Sequence, residues 1–186
     1  MNRTLFLSTL ALACATAMPA RADGVVVRRA IAEGEVLAAQ QAWCKALLDI
    51  AEAGATGGQP AAKALAEKVI DGAYGYQLGA VLFKPTLTVQ PQTFRTTRAG
   101  ALSYFVGGDP AYPKDTGFAL KGWTGCEIDN AAILLAGDSA TSMGKVHFTG
   151  KDGKRTTVDK TWSFVKDDAG RLRIMVHHSS LEHTGH

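Results

Sequence analysis

The sequence predicts an α+β domain in which helices from the first half of the chain pack on a curved, mainly antiparallel sheet from the second half. Two patterns predict this class. Before Gly72, apolar residues recur at steps of three and four, as they do on the buried face of a helix. After Gly117, short runs of β-branched and apolar residues alternate with turn residues, as they do in successive strands.

Three helices are expected before Gly117. They are predicted over residues 35–53, from Pro60 to Gly72, and over residues 96–106. Gly54 is expected as the C-cap of the first helix, with Gly57-Gly58 as the loop that follows. Pro60 suits the first turn of the second helix, where its missing N–H is not needed.

The strands are expected mostly after the third helix. They are predicted over residues 80–83, 117–128, 131–136, 139–149, 155–166 and 171–180. Turn signals separate the last five, at 129–130, 137–138, 151–153 and 167–170. The short spacing of the last three strands predicts an antiparallel meander.

The amino terminus predicts export. A positive start is followed by an apolar run over residues 4–18 and by the small-x-small sequence of residues 20–22. This is the pattern of a secretory signal peptide over residues 1–22, cut before Asp23, and it predicts a periplasmic or secreted protein. Removing 22 of the 186 residues leaves 164, enough for a single domain over residues 23–186.

The charge and hydropathy of the remaining chain exclude two classes of partner. Removing Arg3 and Arg21 from the 20 basic residues leaves 18 against 17 acidic ones, so no basic face for nucleic acid is expected. No second apolar run of membrane-spanning length follows, so no membrane association is expected after cleavage. Cys44 and Cys126 remain, either as a disulfide or as two buried thiols.

The end of the last strand, IMVHHSSLEH, is the strongest candidate for a working site. Side chains alternate across a strand, so one histidine and one serine lie on each face. Neighbouring histidines on a regular strand cannot both bind one metal ion, which makes this a poor zinc motif. Alternation nominates His178 and Ser180, which share a face with the apolar positions. A strand-end bulge or a paired outer face would reverse that choice to His177 and Ser179.

Five runs in order resemble one family, the iota-class carbonic anhydrases. They are LFKPT (82–86), GALSYFVGG (100–108), YPKDTGFAL (112–120), MGKVHFTG (143–150) and IMVHHSSL (174–181). The resemblance implies the cone-shaped fold of the nuclear transport factor 2 (NTF2)-like group, related to the association domain of calmodulin-dependent kinase. Residues 156–164 are polar and only loosely similar to the family.

The resemblance also implies a site. It places CO2 or bicarbonate among hydroxyls and an imidazole, with Thr86, Tyr104, His177 and Ser179 as the functional residues. The hydroxyls are expected to donate hydrogen bonds to a bicarbonate oxygen, and the histidine to accept a proton or orient water. Apolar neighbours are expected to keep the pocket dry; these are Phe83 and Phe105.

No metal is expected, because no three-ligand zinc set is visible in the sequence. Two alternatives stay open: a hydratase that uses zinc or manganese with His177 or His178, and a ligand-binding or oligomerisation module of the same fold without turnover. A homodimer or higher homo-oligomer is expected. If His177 faces the pocket, strict alternation sends three apolar side chains to a second surface such as a dimer interface; these are Leu172, Ile174 and Val176.

Overall fold

The computed structural model describes residues 29–185. The predicted signal peptide, its cleavage before Asp23 and His186 lie outside the described residues. The helices are α1 (Glu33–Ala73), α2 (Arg98–Val106) and a 3₁₀ turn (Phe118–Lys121). The strands are β1 (Leu82–Lys84), β2 (Trp123–Ala136), β3 (Ser139–Gly150), β4 (Arg155–Lys166) and β5 (Leu172–Leu181).

The first two predicted helices are the two halves of α1. Gly58 breaks the helix with φ of 71°, a left-handed conformation that glycine adopts without steric cost, and Pro60 follows in the second half. Gly54 was predicted as the C-cap, and this is wrong, because the helix continues through it. A Cβ at Gly54 would lie 2.6 Å from Cδ2 of Leu120, so glycine there permits close packing against the 3₁₀ turn.

The five strands form one sheet in the order β1-β5-β4-β3-β2. The pairs from β2 to β5 are antiparallel, whereas β1 is parallel to β5 with Phe83 opposite His177. The structure therefore has the predicted α+β architecture, with the meander of β3, β4 and β5 at its centre. The core lies between α1, α2 and the inner face of the sheet.

Strand β2 corrects a predicted turn. Asp129-Asn130 was expected to separate two strands, but β2 runs through it, with a register shift between Asn130 and Ala132. The Asn130 amide exchanges two hydrogen bonds with the buried Gln40 of α1, at 2.9 and 2.8 Å. This reciprocal pair satisfies a polar residue inside the strand, so that no turn is needed there.

A β-bulge in β5 decides which side chains face the core. Ser163 pairs with Val176 and Phe164 with Ile174, so Met175 is an extra residue without a partner on β4. The bulge changes the phase of the strand, and both Ile174 and His177 are buried on the inner face. The expected outward surface of Leu172, Ile174 and Val176 is therefore wrong for the first two residues, which pack with the core, and only Val176 points to the other face.

A disulfide joins Cys44 of α1 to Cys126 of β2, with 5.4 Å between their Cα atoms. It resolves the alternative that the sequence left open and ties the helix that carries Trp43 to the sheet. Within residues 29–185, no helix is long and apolar enough to cross a membrane.

Candidate active site

The predicted site residues meet in one small cavity between β1, α2 and the inner face of β4 and β5. Its volume is about 10 Å³, room for about one water molecule and far below the usual size of pockets for drug-like ligands. The lining includes all six predicted residues, namely Phe83, Thr86, Tyr104, Phe105, His177 and Ser179. Trp43, Pro85, Phe118 and Lys160 complete it.

Three hydroxyl groups lie together at one end of the cavity. Oγ1 of Thr86 and Oγ of Ser179 are hydrogen bonded at 2.6 Å, although the residues are 93 positions apart. Tyr104 lies beside Thr86 in the lining, and burial raises the pKa of its hydroxyl above the ordinary value. Tyr104 is therefore protonated at neutral pH and acts as a donor rather than a base.

Local structure explains how each hydroxyl reaches this position. Pro85 ends β1 and turns the chain, so that Thr86 follows the strand into the cavity. The N-cap Thr97 accepts a hydrogen bond from the N–H of Gly100, which fixes the start of α2 and the direction of Tyr104. The bulge in β5 turns Ser179 inward.

The imidazole of His177 is bound at both nitrogens. Its Nδ1 lies 2.8 Å from the Tyr74 hydroxyl and its Nε2 lies 2.8 Å from Nζ of Lys160. The Tyr74 oxygen also accepts the Trp43 Nε1–H at 2.9 Å. Phe83 stacks on the imidazole with 4.3 Å between ring centroids. These contacts hold the ring in one orientation inside the aromatic wall.

Burial lowers the pKa of His177 well below its ordinary value, and the nearby Lys160 charge lowers it further. The sequence led us to expect His177 as a proton acceptor or as an orienter of water. An imidazolium is strongly disfavoured in this dry surrounding, so the geometry disfavours His177 as the proton acceptor. Both ring nitrogens are already bound to Tyr74 and Lys160, so the ring holds these two side chains and has no free nitrogen for water.

A buried ion pair holds the chain between β1 and α2. The Arg95 guanidinium makes two hydrogen bonds to the Asp115 carboxylate, at 3.1 and 2.6 Å, and both side chains are almost fully buried. The N–H of Arg95 also donates to the carbonyl of Phe83 at 2.8 Å. This bidentate pair fixes the segment that carries Thr86.

The alternation argument selected the wrong face of β5. His178 is exposed, and Ser180 lies on the same outer face. Within residues 29–185, no group of three or more histidine, cysteine or acidic side chains is arranged to hold a metal ion.

Sequence reasoning missed three residues that complete the site: Trp43, Tyr74 and Lys160. A signal existed for Lys160, because it alternates with Val158 and Trp162 along β4 and therefore points inward. That segment is polar and only loosely similar to the family, so the resemblance did not mark Lys160. No local pattern marks Tyr74, which reaches His177 only through the packing of α1 on β5.

The fold and the cavity define a small NTF2-like domain with a preformed site for a very small ligand. Residues 34–181 match the family described as metal-independent carbonic anhydrase. This chain belongs to that family. The expectation of a site without metal agrees with the description of the family.

Individual relatives agree with this assignment. A metal-independent carbonic anhydrase from Nostoc sp. is 64% identical over 156 residues, which cover 84% of this chain and 76% of that protein. The crystal structure of a cyanobacterial iota-carbonic anhydrase complexed with bicarbonate superimposes with a TM-score of 0.85. It is 61% identical, and the match covers 88% of this chain and 99% of that one.

A more distant structure shows the fold alone. It is described as a calcium/calmodulin dependent protein kinase II association domain from Xanthomonas campestris. It is 24% identical, has a TM-score of 0.51, and the match covers 81% of this chain and 88% of that one.

Proposed function

We propose that this chain interconverts CO2 and bicarbonate in the cavity between Thr86, Tyr104, His177 and Ser179. The observation that carries the proposal is the meeting of three hydroxyls and a neutral imidazole in an aromatic cavity too small for a large substrate. The family of the chain and the bicarbonate complex of its cyanobacterial relative support this substrate.

The hydroxyl cluster suits an oxygen that gains negative charge. As water attacks the CO2 carbon, one C=O electron pair moves onto oxygen, and donors placed there stabilise the transition state. Thr86 and Ser179 each carry one hydroxyl proton, and one of the two is used in their mutual bond. The other proton and that of Tyr104 are then free to bind the substrate oxygen.

The aromatic wall suits the neutral form of the substrate. CO2 has no net charge, so Phe83, Phe105 and Phe118 can surround it without the desolvation cost that they impose on an ion. The dry surrounding also strengthens each hydrogen bond to the developing anion. Positioning and electrostatics therefore take the place of a metal-bound hydroxide.

The test is stopped-flow CO2 hydration by the protein starting at Asp23, after treatment with a strong chelator. Retained catalysis is expected. Loss of activity that zinc or manganese restores would favour the metal-dependent hydratase. A folded protein that binds bicarbonate without accelerating hydration would favour the binding module.

We also propose export, with removal of residues 1–22 to leave a single domain over residues 23–186. The Cys44–Cys126 disulfide supports this, because disulfides persist mainly in oxidising compartments such as the periplasm. Mass spectrometry of protein recovered from the periplasm and the medium tests the cleavage before Asp23. Recovery of uncleaved protein in the cytoplasm only would contradict it.

A homodimer or higher homo-oligomer remains our proposal for the assembly. Strand β2 is a sheet edge of 14 residues, and Leu134 on it is 67% exposed, as is Met143 on β3 at 60%. Long edges with exposed apolar residues are prone to pairing with another chain. Light scattering of the purified protein gives the assembly size, and a monomer at high concentration would contradict the proposal.

A further inference from the structure

Lys160 is a buried amine in the wall of the cavity. It is 3% exposed, and it lies opposite Ser179 in the pairing of β4 with β5. Its Nζ lies 4.8 Å from the ring centroid of Trp43 and 5.2 Å from that of Trp162. Within residues 29–185, no carboxylate lies within ion-pair distance of it. An ammonium ion in this position is costly, because burial removes its water and no anion replaces it.

Burial lowers the pKa of Lys160 to about 7. Its neighbour His177 has a pKa lowered much further by burial and by the lysine charge. Near neutral pH, therefore, at most one of the two groups is positively charged, and the lysine is protonated before the histidine. The other titratable group in the cavity lining is Tyr104 of α2, and Tyr74 at the end of α1 reaches the pair through His177.

The tautomer of His177 decides what the amine can do. If Nε2 carries the ring proton, it donates to the single lone pair of the amine, and Lys160 cannot accept another proton. If Nδ1 carries it, Nδ1–H donates to the Tyr74 hydroxyl, and Nε2 accepts an N–H from Lys160. The lone pair of the neutral amine is then free, and the ammonium form fits the same hydrogen bonds. Proton uptake in this arrangement needs no movement of the ring.

We propose that Nζ of Lys160 takes the proton from the attacking water during CO2 hydration and returns it during bicarbonate dehydration, while His177 positions it. This inference rests on the function proposed above. In the step, a C–O bond forms between water and CO2, and one water O–H bond breaks. The water proton binds the lone pair of the amine, so water, CO2 and the amine give bicarbonate and an ammonium group.

The ammonium group is transient but not isolated. Bicarbonate formed beside it supplies the negative charge that the resting cavity lacks, so the two opposite charges stabilise each other in a dry surrounding. When bicarbonate leaves, the ammonium group again lacks an anion and gives its proton to water or buffer. A pKa of about 7 suits both uptake and release at neutral pH.

The experiment compares Lys160→Met with Lys145→Met and the wild type in stopped-flow CO2 hydration. The pH runs from about 5.5 to about 9, a range that includes the reference pKa values of histidine and of the α-amino group. Methionine keeps the length and packing of lysine without the amine. For the wild type, we expect kcat/KM to rise with pH through an inflection near 7. In Lys160→Met, kcat/KM is expected to fall roughly 100-fold, and its pH profile is expected to lose the inflection near 7. Lys145 lies on the outer face with Asp159 and Glu182, so its variant should follow the wild type.

The outcomes separate this inference from the proposed function. An active wild type with an equally active Lys160→Met and an unchanged pH profile would overturn the role of Lys160 and leave the function intact. An inactive wild type would overturn the proposed function itself, and this inference with it. If Lys160→Met does not fold, the side-chain nitrogen resonance of Lys160 in ¹⁵N-lysine protein decides. Titration near pH 7 supports the proposal, and titration near the ordinary lysine value overturns it.

Discussion

Ile174 and His177 point to the same face of the sheet, although they are three residues apart on β5. The odd spacing is possible because Met175 is bulged out of the pairing with β4. In a regular strand these two side chains would lie on opposite faces, and His178 and Ser180 would face the core. One extra residue therefore determines which histidine and which serine line the cavity.

The two faces of β5 offer matched variants. Ser179→Ala removes a hydroxyl that bonds Thr86 inside the cavity, so we expect a loss of about 10²–10³-fold in the rate of CO2 hydration. Ser180→Ala removes a hydroxyl on the outer face and should leave the rate within about twofold of the wild type. Stopped-flow rates with circular dichroism as a check of folding measure both. A larger loss for Ser180→Ala would place the site on the other face.

Tyr74→Phe tests how His177 is held. The variant keeps the stacked ring but removes the oxygen that accepts from Trp43 and bonds Nδ1 of His177. Leaving buried polar groups unpaired should destabilise the fold by about 1–3 kcal/mol, measured by urea unfolding. Loss of orientation should lower hydration by about 10–100-fold.

The same variant has a second readout in the pH profile. Without the Tyr74 oxygen, the Nε2–H tautomer of His177 becomes more populated. Its Nε2–H donates to the lone pair of the Lys160 amine and so stabilises the neutral amine. The inflection near pH 7 should therefore move to lower pH. Tyr76→Phe is the control, because the Tyr76 hydroxyl donates to the Arg95 carbonyl outside the cavity. Equal effects of the two variants would show that Tyr74 acts only through stability.

Lys160 should cost stability at neutral pH. Its pKa is about 7 in the folded chain and 10.5 in the unfolded one, so the unfolded chain binds more protons between these values. Stability therefore rises with pH across this window, and below about pH 7 the full cost is present. Lys160→Met should raise the free energy of unfolding by a few kcal/mol at pH 7 or below.

The pH dependence of the stability gained by Lys160→Met provides the check. The difference between Lys160→Met and the wild type should be constant below pH 7 and shrink as the pH approaches 10. Urea unfolding of both proteins at each pH measures the difference, which cancels the titration of other groups. A gain that does not change with pH would mean that methionine improves packing and that the lysine charge is not the cause.

The disulfide should contribute strongly to stability. Cys44 and Cys126 are 82 residues apart, and closing a loop of that size typically stabilises a fold by about 2–5 kcal/mol. Replacing both cysteines with alanine should lower the free energy of unfolding by this amount. Reductant should produce a similar loss in the wild type and no loss in the double variant. A wild type that is unaffected by complete reduction would contradict the prediction.

The amino-acid sequence by itself determined the α+β class, the break in α1 at Gly58, the central meander and, through the five matching runs, the family and six lining residues. These features depend on local periodicity, on turn chemistry and on short segments compared in order. Local patterns reach only a few residues along the chain. They accordingly misplaced the C-cap at Gly54 and read the bulged pair at Asn130 as a turn.

Only the tertiary structure decided the inner face of β5 and the partners of His177. A bulge shifts side chains without leaving a clear signature in a strand pattern, and Met175 is as ordinary in sequence as its neighbours. Tyr74 and Lys160 meet His177 from 103 and 17 residues away. The state of the Lys160 amine depends on that meeting, because the free energy of a charge is set by the water and anions around it and not by its place in the sequence.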